Sequence, residues 1–151
     1  DGIALVVLLV FGLGAVAGNL MGGWMTDRLG SIKSLVILCL AQIVLMPMFS
    51  GLPLAPWLLF ILVFVWSVMG WSFVAPQQVR LLHLAPNIAG VVLALNAAAI
   101  YVGTAAGSAI GGAVQTVGDI TWLGAAAGIA ALGALGHILL SHRAANLRAI
   151  A

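Results

Sequence analysis

From Gly2 to Met25 the chain carries no charged residue, and almost every position is apolar. A helix needs roughly 20 such residues to cross the hydrocarbon core of a bilayer, where no water can satisfy a backbone left unbonded. Four further runs fit the same ruler, at about 32–50, 57–75, 88–114 and 121–141. The breaks carry the expected chemistry: Asp27-Arg28-Leu29-Gly30 ends the first run, and Gly51 to Pro56 separates the second from the third. Pro76 and Pro86 bracket the next connection, and Gly118-Asp119 precedes the last run. Charged residues are 5% of the chain and apolar ones 64%, whereas about a quarter of a soluble domain is charged. The sequence therefore predicts an all-α membrane protein with five transmembrane helices, whose first partner is the lipid bilayer.

Charge placement predicts the orientation. Arg28 and Lys33 follow the first span, Arg80 the third, and Arg143 and Arg148 the fifth. With five crossings these segments share one face, and the other face, with Asp1 and two connections, has no basic residue. Basic loops stay cytoplasmic, so the N-terminal end is expected outside and the C-terminal tail inside. The five basic residues are too scattered for a nucleic-acid surface. Cys39 is the lone cysteine and excludes an internal disulfide. The chain starts at Asp1 with no signal-peptide pattern and reads as part of a longer one.

Two spans are related. Gly14 to Gly23 and Gly103 to Gly112 both read G-x-x-A-G-x-x-x-G-G. By the orientation above, the first copy ends inside and the second outside, so the copies cross the membrane in opposite directions. Inverted repeats of this kind build secondary transporters, in which pseudo-symmetry supplies inward-open and outward-open states. Gly14, Gly18 and Gly22, like Gly103, Gly107 and Gly111, line one helix face and let another backbone approach closely.

The stretch Gly23-x-x-x-Asp27-Arg28-x-Gly30, with Lys33 following, resembles the loop signature of the major facilitator superfamily. Ser31 and Ile32 stand where that signature often has basic residues, as in its weaker second copy between helices 8 and 9. Ala75 to Arg80 and the run Leu95-Asn96…Gly103…Gly107…Gly111-Gly112 resemble the later helices of twelve-span drug:proton antiporters and sugar-efflux permeases. The resemblance spans nearly the whole chain. It implies helices 8 to 12, a partial C-terminal six-helix bundle with inverted repeats, in the bacterial inner membrane. Helix 7 and the N-terminal half would be missing partners.

The resemblance also implies a latch: Asp27 docks on the positive end of a helix in the other half and holds the cytoplasmic side closed. A solvated loop is the simpler reading; orientation requires Arg28 and Lys33 but not Asp27. On the fourth span, Asn96, Ile100, Gly103 and Gly107 form one face, and Ala97, Tyr101, Thr104 and Ser108 form another about 90° round. Thr104 and Ser108 can bond their own backbone or face a cavity. The repeat places Asn19 opposite Ser108 in register. The expected cavity residues are Asn19, Tyr101, Thr104 and Ser108, with Trp66 and Ser67 from an aromatic and methionine wall on the third span. Lipid-facing packing is the alternative for that wall. Packing is also the default for Gln42 and Cys39.

The first, third and fourth of these runs, with the other two, contain no Asp or Glu. A proton-coupling acid would have to lie elsewhere, so protons are one candidate partner and an uncoupled facilitator the other. No spacing of His, Cys or acids suits a metal, and no catalytic set or phosphate loop occurs, so neither cofactor nor enzyme is expected. The expected function is alternating-access transport of a small molecule, as efflux of drug-like or sugar-like compounds. A membrane-anchoring or interaction module is the rival, and it would need no inverted repeat.

Overall fold

The computed structural model describes residues 2–51, 53–119 and 121–150, with the side chains of 148–150 outside that description. Asp1 and the Arg148 side chain, both used in the charge argument, lie outside the described residues. Six α-helices follow in order: α1 (Gly2–Leu29), α2 (Ser31–Met48), α3 (Pro56–Trp71), α4 (Val74–Leu84), α5 (Ala89–Val117) and α6 (Trp122–Ile150). With α3 and α4 taken as one interrupted rod, five helices among the described residues are long and apolar enough to cross a membrane. The protein is all-α among the described residues, as its uncharged runs require.

Boundaries differ from the sequence expectation at three places, the last being α6, which continues past 141 to Ile150. The first helix does not stop at Met25; it runs through Asp27 and Arg28 to Leu29. Only Gly30 separates it from α2, with φ 80° and ψ 162°, a backbone region open essentially to glycine alone. The Gly30 N–H donates to Thr26 O at 3.0 Å, and Ser34 Oγ donates to Gly30 O at 2.8 Å. The turn is thus bonded on both sides.

The second difference is at Pro76. It opens α4 rather than a loop, because proline is tolerated in the first turn of a helix. Proline has no N–H to offer the carbonyl four residues back, which is that of Ser72. The ladder is interrupted there and resumes where Gln77 N–H donates to Phe73 O at 3.1 Å. The real turn comes at Ala85, where φ is −144° and ψ 63°, just before Pro86.

Packing is pairwise. α1 lies mainly on α3 and α4, and α2 on α6. α5 touches α4 and α6 and has no buried residue. The first glycine face explains the α1–α3 contact. A methyl placed on Gly14 would come 2.7 Å from Ser67 Cβ, and one on Gly18 would come 2.5 Å from the Val68 carbonyl oxygen. One on Gly22 would strike the Ser72 carbonyl. Ser67 Oγ donates to Phe11 O at 2.7 Å. In lipid, where apolar burial gives no drive, close backbone approach and such interhelical hydrogen bonds hold helices together.

On the other side, Gly124 and Gly128 of α6 fit against Met46, Pro47 and Ser50 near the end of α2. Leu35 and Cys39 form a buried cluster with Ile138, and Leu135 packs on it. Arg80, 8% exposed, donates from α4 to Ser141 Oγ on α6 and ties the two rods together.

Candidate small-molecule cavity

α1, α3, α4 and α5 line a half-open cavity of about 360 Å³. Its wall is largely aromatic. Phe11 of α1 lies with its ring centroid 5.6 Å from Trp66 and 6.5 Å from Trp71, the latter edge-on at 67°. Phe49 braces the far side of Trp66, edge-on at 5.8 Å. These offset and edge-on arrangements suit the quadrupoles of the rings and hold them in place. The Ser67 bond to the Phe11 carbonyl fixes that residue from behind. Phe73 completes the apolar wall, and Gln77 and Asn96 are the amide-bearing residues in the lining.

A space of this kind binds by area and orients its contents with few polar groups. It has no charged residue in its lining, so its chemistry suits a neutral, amphipathic molecule rather than an ion. The repeat adds a geometric point. The shift that carries Gly14 onto Gly103 carries Phe11 onto Ile100, and both residues line this cavity. Positions related by that shift, each three residues before its copy, therefore meet at one place.

Of the expected cavity residues, Trp66 and Ser67 are in the lining. Asn19, Tyr101, Thr104 and Ser108 are exposed and do not line it. Asn19 Nδ2 donates to Ala15 O at 3.0 Å, and Thr104 Oγ1 to Ile100 O at 2.9 Å. Each thus satisfies its own helix one turn back. Tyr101 is 76% exposed. Phe11, Trp71, Gln77 and Asn96 are cavity residues that the sequence reading did not select. Asn96 lies on the α5 face with Ile100, a usable signal. Gln77 was hidden by assigning its segment to a loop.

At the basic end, Asp27, Arg28, Gly30 and Lys33 are all exposed, and Gly23 is partly so. Asp27 rides in the last turn of α1. Of the two glycine faces, Gly14, Gly18 and Gly22 are packed. Gly103 and Gly107 meet nothing within 4 Å among the described residues, and Gly111 meets only Leu123 Cδ2 at 3.7 Å.

Comparison with known proteins adds relatives. The chain is 33% identical to an uncharacterized MFS-type transporter, YbcL, of Bacillus subtilis, over 79% of this chain and 31% of that protein. It is 28% identical to the inner membrane transport protein YdhP of Escherichia coli K12, over 74% and 28%. It is 31% identical to a probable sugar efflux transporter of Helicobacter acinonychis, over 86% and 34%. The chain spans about a third of the length of these relatives. No family model matches it, and neither does any solved structure.

Proposed function

We propose that this chain, a member of the major facilitator superfamily and an integral membrane protein, supplies one wall of the cavity through which a transporter moves a small amphipathic molecule by alternating access. The role is transport and not enzymatic. The carrying observation is the aromatic cavity of about 360 Å³ to which the two helices that carry the repeat copies, α1 and α5, both contribute. Efflux is the direction and a sugar the cargo favoured by the likeness to sugar efflux transporters, with a drug-like compound as the other cargo. The uncharged lining agrees with a neutral cargo of either kind.

The basic end, with Arg28, Lys33 and Arg143, is the cytoplasmic face in this reading. There Asp27 is the latch. It is exposed at the end of α1, free to meet the positive N-terminal end of a helix from the other half.

Inverted vesicles enriched in the full-length protein test the reading. They are supplied with amphipathic dyes and labelled sugars. Uptake above that of empty vesicles, reduced by Trp66→Ala, is the expected result. No uptake of any compound would instead favour a non-transporting anchor. Adding a protonophore separates the coupling modes: loss of uptake against a gradient means proton coupling, and unchanged equilibration means a facilitator. The described spans other than the end of α1 contain no acidic residue, which favours a coupling acid elsewhere or none.

A further inference from the structure

We propose that a small polar cavity at the basic end, between α2, α4 and α6, binds a phosphate group, carried either by a lipid headgroup or by a soluble ion. The cavity measures about 180 Å³. Ser31 and Ile32 of α2, Arg80 and His83 of α4, and His142 and Asn146 of α6 line it. Segments far apart in sequence thus bring a guanidinium, imidazoles and an amide to one place.

Arg80 is the first pointer to an anion. It is 8% exposed, so little of it is open to water. Arginine carries five N–H donors and a charge that it does not give up. The one side-chain hydrogen bond that Arg80 makes among the described residues goes from Nη2 to Ser141 Oγ. That hydroxyl is neutral, and it donates onward to Ile138 O at 3.2 Å. A buried charge without a counter-charge is costly. The described acids do not supply one: Asp27 and Asp119 are both exposed, and neither pairs with Arg80. An oxyanion lodged in the cavity would both neutralise the guanidinium and use its remaining donors, in the forked geometry that arginine offers to phosphate.

The start of α2 is the second pointer. Its N-cap is Gly30, and no side chain bonds the first-turn N–H groups. Ser31 and Ile32 carry two of those groups, and both residues line the cavity. An uncapped helix N-terminus offers free donors and a positive dipole end, which together favour phosphate.

The α6 side agrees. Asn146 Nδ2 lies 3.4 Å from His142 Nε2. With the amide donating, the neutral ring carries its proton on Nδ1 and is a donor there. Every ionisable side chain in the lining is basic, and no carboxylate is present to repel an anion. Donors come from three helices, so they approach from several sides. That suits a tetrahedral oxyanion better than a planar carboxylate. Arg28 and Lys33 lie near the same end of the bundle, at the ends of α1 and α2 that Gly30 joins.

The test uses the full-length protein, purified in detergent without phosphate or added lipid. In one arm inorganic phosphate is titrated and the thermal midpoint followed, with chloride at matched ionic strength as the control. In the other arm the protein is taken from vesicles of phosphatidylcholine and phosphatidylglycerol, and retained phospholipid is read by native mass spectrometry. A midpoint raised by phosphate about 2 °C or more above chloride identifies a soluble ion. Retained phospholipid without that rise identifies a headgroup. Arg80→Gln is expected to abolish whichever response the wild type shows, and His142→Leu to weaken it about tenfold. Ser141→Ala, which removes only the tie between α4 and α6, should keep it. If Arg80→Gln does not accumulate, His142→Leu against Ser141→Ala makes the comparison. Equal responses in wild type and His142→Leu would overturn the proposal. So would a phosphate effect no larger than that of chloride together with no retained phospholipid, which would leave water or a carboxylate from elsewhere as the partner of Arg80. Neither arm measures transport, so a protein that moves no substrate defeats the transporter reading alone.

Discussion

Ser72 Oγ lies 2.9 Å from the Gly18 carbonyl oxygen, donating across the contact between the α3–α4 junction and α1. The same hydroxyl is 2.7 Å from Val68 O on its own helix. Gly18 permits this, since any side chain there would hold the two backbones apart. Gly18→Val is accordingly expected to destabilise by about 1–3 kcal/mol, as overpacking does. Gly12→Val, with nothing within 4 Å, should be nearly silent. Thermal midpoints of the two solubilised variants make the comparison, and equal values would refute the packing role.

The hydroxyl itself is worth less. Ser72→Ala and Ser67→Ala should each cost about 0.5–1.5 kcal/mol, near the modest values of interhelical bonds in membranes. The two serines bond different carbonyls, those of Gly18 and Phe11. Their effects should therefore add in the double variant, as they do for separate sites. Denaturant titration of the four proteins in the cycle would expose any strong coupling.

Gly30 joins α1 to α2 at φ 80° and ψ 162°. An alanine there must adopt a conformation that costs on the order of 1–3 kcal/mol, although nothing lies within 4 Å of its methyl. Gly30→Ala should thus destabilise through the backbone alone. Gly23→Ala, also in open space but helical, should stabilise or leave stability unchanged. The same thermal assay distinguishes them.

Asp27 is exposed at the end of α1, so removing its charge should leave the helices intact. Asp27→Asn is expected to insert and accumulate like wild type while transport falls several-fold. The helix-end interaction assigned to it is about 0.3–1 kcal/mol when exposed and up to about 2 when partly buried. Wild-type turnover in this variant would remove the latch.

The spans were legible because lipid imposes a length and forbids charge, so hydropathy alone locates α1, α2, α5 and α6. The break at Pro76 was misplaced because proline both ends helices and begins them. The resumed bond from Gln77 N–H to Phe73 O tells which happens here. Trp66 and Ser67, expected from the aromatic and methionine wall of the third span, are in the cavity lining. Thr104 and Asn19 do not line this cavity and instead bond the carbonyl one turn back, a choice to which periodicity is blind. Phe11 became significant only through its repeat partner Ile100, which no local pattern marks. The glycine repeat was visible in sequence, but not that one copy is packed and the other bare.

The single residue between α1 and α2 has a mechanical consequence. Adjacent Cα atoms are about 3.8 Å apart, so a one-residue joint has almost no slack along the membrane normal. Any vertical displacement of the α1 end must be passed to α2, and α2 is seated along α6. Arg80 holds α4 to α6 at Ser141, so the α3–α4 rod is coupled to the same group. Tilt can be taken up at Gly30, but not piston motion. These helices can rock as a lever and cannot slide past one another as independent rods.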